Sequence, residues 1–185
     1  MQVTTIYFLL WLSVLVTLGP AVPDEAPQHL ISGNYGFSVT RPQNWYLYER
    51  EQGPAFFNFP PGKSTQGELP DGGASIVMIT STQAELHGMQ ALAQFGEKES
   101  HAQRGINIHQ WALPFSQPGN FSSMVGLSFD QPAVAQGAPD IHFILVLWEA
   151  GGRLFGAELS CIKNDRGLKK YEGALVAVVR SFRLN

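Results

Sequence analysis

The sequence predicts an α+β fold: a largely antiparallel β-sheet sandwiched between helices, an α/β/α arrangement. Three observations lead there. The run "IHFILVLWE" (141–149) is apolar on both of its alternating faces, as a strand covered on each side is. "AGGR" then turns the chain, and "LFGAELSCI" (154–162) reads as the returning strand. Finally, "RGLKKYEGALVAVVRSF" (166–182) places Leu168, Tyr171, Leu175, Val178, Val179 and Phe182 on one helical stripe, with Asn164 or Asp165 available as its cap. A strand buried on two faces needs a packed layer on each side, so helices must cover both.

The remaining elements follow in chain order. The chain opens on "MQVTTIYFLLWLSVLVTLGPAVP", with no charged side chain before Asp24. Its apolar block, 6–18, is shorter than the ~20 residues of a bilayer-spanning helix. Gly19-Pro20-Ala21 offers small residues before a cut after Ala21, so 1–21 is expected to be a signal peptide. Its n-region carries no Lys or Arg; the alternative is an uncleaved anchor over 3–23. Residues 22–33 read as a linker and 34–185 as a single domain.

Within that domain, Gly36 to Arg41 alternates apolar and polar residues, a first strand ended by Pro42, which has no N–H to give a ladder. Trp45 then folds back as core packing, and Tyr46 and Tyr48 share a face. "PAFFNFP" (54–60) and "ASIVMITST" (74–82) are the next strands, separated by the turn-rich loop 61–73. Thr82 and Glu85 form a capping box before Leu86, Met89, Leu92, Ala93 and Phe95, predicting a helix from Thr82 with Gly105 as its C′ stop. "INIHQWAL" (106–113) and "FSSMVGLSF" (121–129) are strands joined by "PFSQPGN", and 130–140 is a second long loop.

Composition narrows the function. The chain has 185 residues, a net charge of −3 and scattered Lys and Arg, so no basic stripe exists to neutralise phosphates and nucleic-acid binding is not expected. Cys161 is the single cysteine and has no internal disulfide partner, so an exported domain must rest on its core. Signatures for phosphate loops, dinucleotide folds, serine hydrolases and zinc proteases are absent. No cofactor is expected.

Three stretches, "GFSVTRPQNW", "GGRLFGAELSCIK" and "YEGALVAVVRSF", resemble the PsbP-like superfamily. This is the family of the extrinsic photosystem II protein, with exported bacterial relatives and a nuclear import factor that binds the Ran GTPase. Pro42 and Trp45 match its opening strand and Pro-x-x-Trp corner; Ser181 and Phe182 match the end of its final helix. With the order of elements, the likeness covers 35–183. The resemblance implies a non-catalytic accessory or binding protein acting through a protein partner or small ligand. Together with the leader, it points to a partner in the envelope or secreted fraction and a periplasmic or secreted location. Membrane contact is expected only through an uncleaved N-terminal segment.

Candidate chemistry is sparse. A two-residue turn at Gly151-Gly152 sets Trp148 opposite Phe155, Val146 opposite Ala157 and His142 opposite Cys161. A thiol beside an imidazole is a candidate nucleophile, making Cys161 and His142 the catalytic candidates of a thiol-dependent enzyme. The plainer reading is a small buried hydrophobe, since Ile144, Val146 and Trp148 share the face. Asp140 and His142 are candidate metal ligands with no third partner. Glu158 projects to the opposite face, either into a polar opening under a helix or beyond it. "NFS" (120–122) offers Asn120 as a glycosylation acceptor if the source glycosylates exported proteins. The basic start of the last helix reads as a solvated face, or as a docking patch if the chain is a secretion chaperone. For a binding module, loops 61–73 and 130–140 are the natural contact surfaces.

Overall fold

The computed structural model describes residues 29–32, 35–50, 53–60, 69–81, 87–134 and 136–185. In chain order these form β1 (His29–Ser32), β2 (Phe37–Thr40), β3 (Tyr46–Tyr48), β4 (Ala55–Phe57), β5 (Ala74–Ser81), α1 (Met89–Ala102), β6 (Ile106–Gln110), β7 (Ser123–Gln131), β8 (Ile141–Ala150), β9 (Arg153–Ile162), α2 (Leu168–Ser181) and β10 (Arg183–Leu184). The leader 1–21 lies outside the described residues.

The central hairpin organises the rest. Gly151 and Gly152 take φ of +56° and +71°, the left-handed pair that a tight two-residue turn needs and that glycine adopts without a Cβ penalty. The resulting register sets Trp148 opposite Phe155, Val146 opposite Ala157 and His142 opposite Cys161, as the sequence predicts. From this pair the sheet grows in both directions, in the order β3-β4-β5-β9-β8-β7-β6, every pairing antiparallel.

Alternation along β8 explains why it is apolar throughout. Ile144, Val146 and Trp148 share a core with Phe155, Leu159 and Cys161 of β9 and Leu175, Val178 and Val179 of α2. Phe143, Leu145 and Leu147 face the other way, packing with Leu92 of α1 and with Val125, Phe129 and Leu154. The helices therefore cover opposite faces, and the predicted sandwich is the observed one.

A second, three-stranded sheet, β1-β2-β10, was not foreseen. Residues 29–32, read as linker, pair in register with β2 as β1. Leu30 and Ile31 satisfy an edge of β2, which the Pro-containing segment before them obscured. Phe182 joins this small sheet to the large one, its ring 5.3 Å from Phe37, 5.1 Å from Trp148 and 4.7 Å from Phe155. Trp45 is core, as expected, set edge-on to Tyr171 of α2 after a turn in which its N–H donates to Pro42 O.

The helix ends differ from the sequence reading. The capping box, Thr82 and Glu85, lies outside the described residues, and α1 begins at Met89 with Gly88 as N-cap and no side-chain cap bond from it. Glu149 of β8 takes the cap's place: its carboxylate accepts from the Gly88 N–H and sits 2.9 Å from His87 Nδ1. Those hydrogen bonds, His87 foremost, hold the Glu149 carboxyl below its usual range. At the other end Arg104, not Gly105, takes the left-handed φ of +60°. Arg104 N–H donates to His101 O and Gly105 N–H to Ser100 O, the paired bonds that close a Schellman motif, so Gly105 stands one position beyond C′. For α2 the N-cap is Gly167; Asp165 instead accepts from the Gly167 N–H, two residues ahead of that cap.

Candidate functional site

Three places bring functional side chains together. The first contains the residues singled out by sequence. His142 and Cys161 are cross-strand partners, but their surroundings separate them chemically. Cys161 is fully buried, and its thiol is pushed up to about 12 by burial and by the nearby charges of Asp165 and Glu172. A thiol in that environment stays protonated at neutral pH and is a poor nucleophile.

His142 turns instead to Asp130, on the neighbouring strand. β7 runs two residues further than "FSSMVGLSF" suggests, and this extension places Asp130 opposite His142. His142 Nδ1 lies 2.8 Å from Asp130 Oδ1; a carboxylate only accepts, so Nδ1 carries the proton. Asn107 donates to Asp130 Oδ2 at 3.2 Å, and Lys163 Nζ reaches the same oxygen at 3.0 Å. Burial alone would raise the Asp130 carboxyl, but the hydrogen bonds of His142, Asn107 and Lys163 outweigh it and hold it below its usual value. Asp140 accepts from the Ala133 N–H and lies 3.8 Å from Lys163 Nζ, so the paired metal candidates Asp140 and His142 are each engaged with protein groups. Among the described residues no three of His, Cys, Asp and Glu gather closely enough to hold a metal ion. The arrangement fastens the ends of β7, β8 and β9 together.

The second place is Glu158. It lies in the row between Val77 and Leu145, on the α1 side of the sheet, and is 3% exposed. The polar opening under a helix is therefore the arrangement found. Gln103, just past the end of α1, donates from Nε2 to Glu158 Oε2 at 3.0 Å, and Gln103 O accepts from Gln131 Nε2. Around them is a cavity of about 30 Å³ lined by Arg50, Glu99 and apolar residues that include Ile79, Phe95 and Leu147. Burial pushes the Glu158 carboxyl up, opposed by Gln103 and Arg50. Burial likewise raises Glu99.

The third place was missed in the sequence. Past the end of β6 the chain stays paired to β7, with Trp111 N–H donating to Gly126 O. Gly126 is required there, since a Cβ would meet Trp111 O at 2.8 Å. Trp111 and Leu113 pack against the core on the α2 side, and at this sheet edge they line, with Met124, Val125 and Leu127 of β7 and Met89 and Ala93 of α1, an open groove of about 370 Å³. Its lining carries no charged side chain among the described residues, and Met89 is 63% exposed. The signal available in the sequence was the apolar content of 111–113, which follows a strand that is otherwise exposed.

No protein-family model matches the chain, and no curated protein sequence does. Solved structures do. The Saccharomyces cerevisiae Ran-binding protein Mog1p superposes with a TM-score of 0.58 at 10% identity, over 87% of this chain and 96% of that one. A Mog1 point mutant gives 0.56 at 12% identity, over 86% and 96%. Cyanobacterial PsbP from Synechocystis sp. PCC 6803 gives 0.48 at 14% identity, over 92% and 99%. The two Mog1 superpositions establish likeness of fold.

Proposed function

We propose that the chain is a non-catalytic accessory protein that holds a protein partner in the groove between α1 and residues 111–113. The observation that carries this reading is the groove itself. It is open, apolar and uncharged along its lining, with a methionine left largely in water at its rim. Exposed apolar surface of this kind costs solubility and is kept where something covers it. Methionine and tryptophan suit the task, one adaptable and the other a large rigid anchor. The fold supports the same reading, since its neighbour Mog1p is a Ran-binding protein.

The residues 1–21 have the composition of an export leader, so the partner is an envelope or secreted protein and not a nuclear GTPase. The thiol-enzyme alternative has little support, because burial and like charges keep Cys161 protonated.

A photo-crosslinking residue placed at Gln90 in the native host tests the proposal. The expected result is one discrete protein adduct, absent when the same group stands at Lys169 on the exposed side of α2. Adducts of equal yield and identity at both positions, or none at Gln90, overturn it.

A further inference from the structure

Glu158 is set into the seam between α1 and the sheet at 3% exposure, and nothing in the proposed partner binding uses it. Its cross-strand neighbours Val77 and Leu145 show what the row would ordinarily carry: an apolar residue packed under the helix. A glutamine there would accept the same hydrogen bond from Gln103, and a leucine would fill the space. The sheet holds an ionisable group instead, beneath the last turn of a helix, beside a cavity of about 30 Å³. That volume admits water-sized groups only.

The groups facing Glu158 come from three directions. From α1 and its C-cap come Glu99 and Gln103, with Lys98 acting on Glu99. From the segment after β3 comes Arg50, and from β5 and β8 come Val77, Ile79, Leu145 and Leu147, which carry no charge. Arg50 lines the cavity and favours an ionised Glu158; Glu99 opposes it. Neutral Glu158 accepts from Gln103 and has one O–H to donate. An ionised carboxylate has more acceptor capacity than one amide can satisfy, and what remains falls to Arg50 or to water in the cavity.

We propose that Glu158 is a proton-operated latch for α1: protonated, it lets the last turn of the helix close on the sheet, and ionised, it draws water into the cavity beside Arg50 and loosens that turn. The proton leaves to solvent, and no other bond changes. The burial-driven rise in the Glu158 carboxyl fits this, because the folded state then binds the proton more tightly than the unfolded chain does. Closure is complete at low pH and is lost as the pH rises from the ordinary glutamate value through the folded one. Gln103 also ties this turn to β7 through Gln131, so the loosening is confined to the end of α1 unless that bond gives way as well. The latch goes beyond the binding reading and does not depend on it.

The test follows the side-chain carboxyl of Glu158 by ¹³C NMR, and amide hydrogen exchange over 99–105, from about pH 4 to about pH 9 on the full mature chain. After correction for intrinsic exchange, protection of 99–105 should fall about tenfold with the midpoint of the Glu158 titration. In Glu158→Gln it should show no such step. An identical step in Glu158→Gln, or a Glu158 titration with no accompanying change over 99–105, overturns the proposal. If Glu158→Gln fails to fold, the wild-type midpoints decide alone: coincidence supports the latch and separation refutes it.

Discussion

His142 Nδ1 lies 2.8 Å from Asp130 Oδ1 across the β7–β8 ladder, and the imidazole's other cross-strand neighbour is the fully buried Cys161. The row runs acid, imidazole, thiol over three adjacent strands, yet the imidazole is committed to the acid. Its consequence is mechanical: Asp130 gathers His142, Asn107 and Lys163 at one end of the sheet.

Asp130→Asn should therefore destabilise the fold by about 1 kcal/mol near neutral pH, a modest figure because solvent screens part of the cluster. The folded carboxyl lies below its ordinary 3.8, so its contribution is present above that value and is lost as the pH falls through the folded one. Urea denaturation at about pH 7 and about pH 2 checks this: the gap between wild type and variant should close in acid.

Cys161 should resist alkylation in the native protein, reacting at least about a hundredfold more slowly than in the unfolded chain. His142→Ala should leave that slow rate unchanged within about twofold, since burial and not the imidazole sets the thiol's state. Iodoacetamide labelling followed by mass spectrometry reads both. Fast native labelling that His142→Ala abolishes would restore the thiol-enzyme reading.

Phe182 touches Phe37, Phe121, Trp148 and Phe155, and so joins both sheets just beyond the end of α2. Phe182→Ala should cost about 3–5 kcal/mol by urea denaturation, among the largest single-residue losses in the chain.

Two helical glycines should respond with opposite sign. A Cβ at Gly96 would collide with Leu127 Cδ1 and come within 3.0 Å of Leu147 Cδ1, because α1 lies flat on the sheet there. Gly96→Ala should lose stability, as about 1–3 kcal/mol of overpacking exceeds the gain of about 1 kcal/mol in helix propensity. Gly173 of α2 has nothing within 4 Å of that position, so Gly173→Ala should gain about 1 kcal/mol. Thermal melts of the two variants separate the cases.

The fold was legible where one physical signal dominated. Gly151-Gly152 fixed the register of the central hairpin, β8 announced its two covered faces, and Tyr171, Leu175, Val178 and Val179 marked the buried side of α2. Short-range signals misled where tertiary contacts decide. β1 looks like linker until β2 is there to pair with it, and the start of α1 is served by Glu149, sixty residues away in sequence. Arg104 takes the backbone conformation that Gly105 was expected to supply. The polar cluster was half visible: Asp140 and His142 were picked out, but Asp130 was assigned to a loop because β7 was ended two residues early. The groove was not legible, since α1, 110–113 and β7 are separate segments of the sequence and come together only in the fold.

The central claim is that this groove holds a protein partner, and quantitative capture from a lysate of the native host tests it most directly. Immobilised wild type should retain one protein in near-stoichiometric amount, Lys169→Glu should retain as much, and Met89→Glu should lose at least about tenfold of it. Equal retention by Met89→Glu and wild type, or loss with Lys169→Glu instead, would contradict the account.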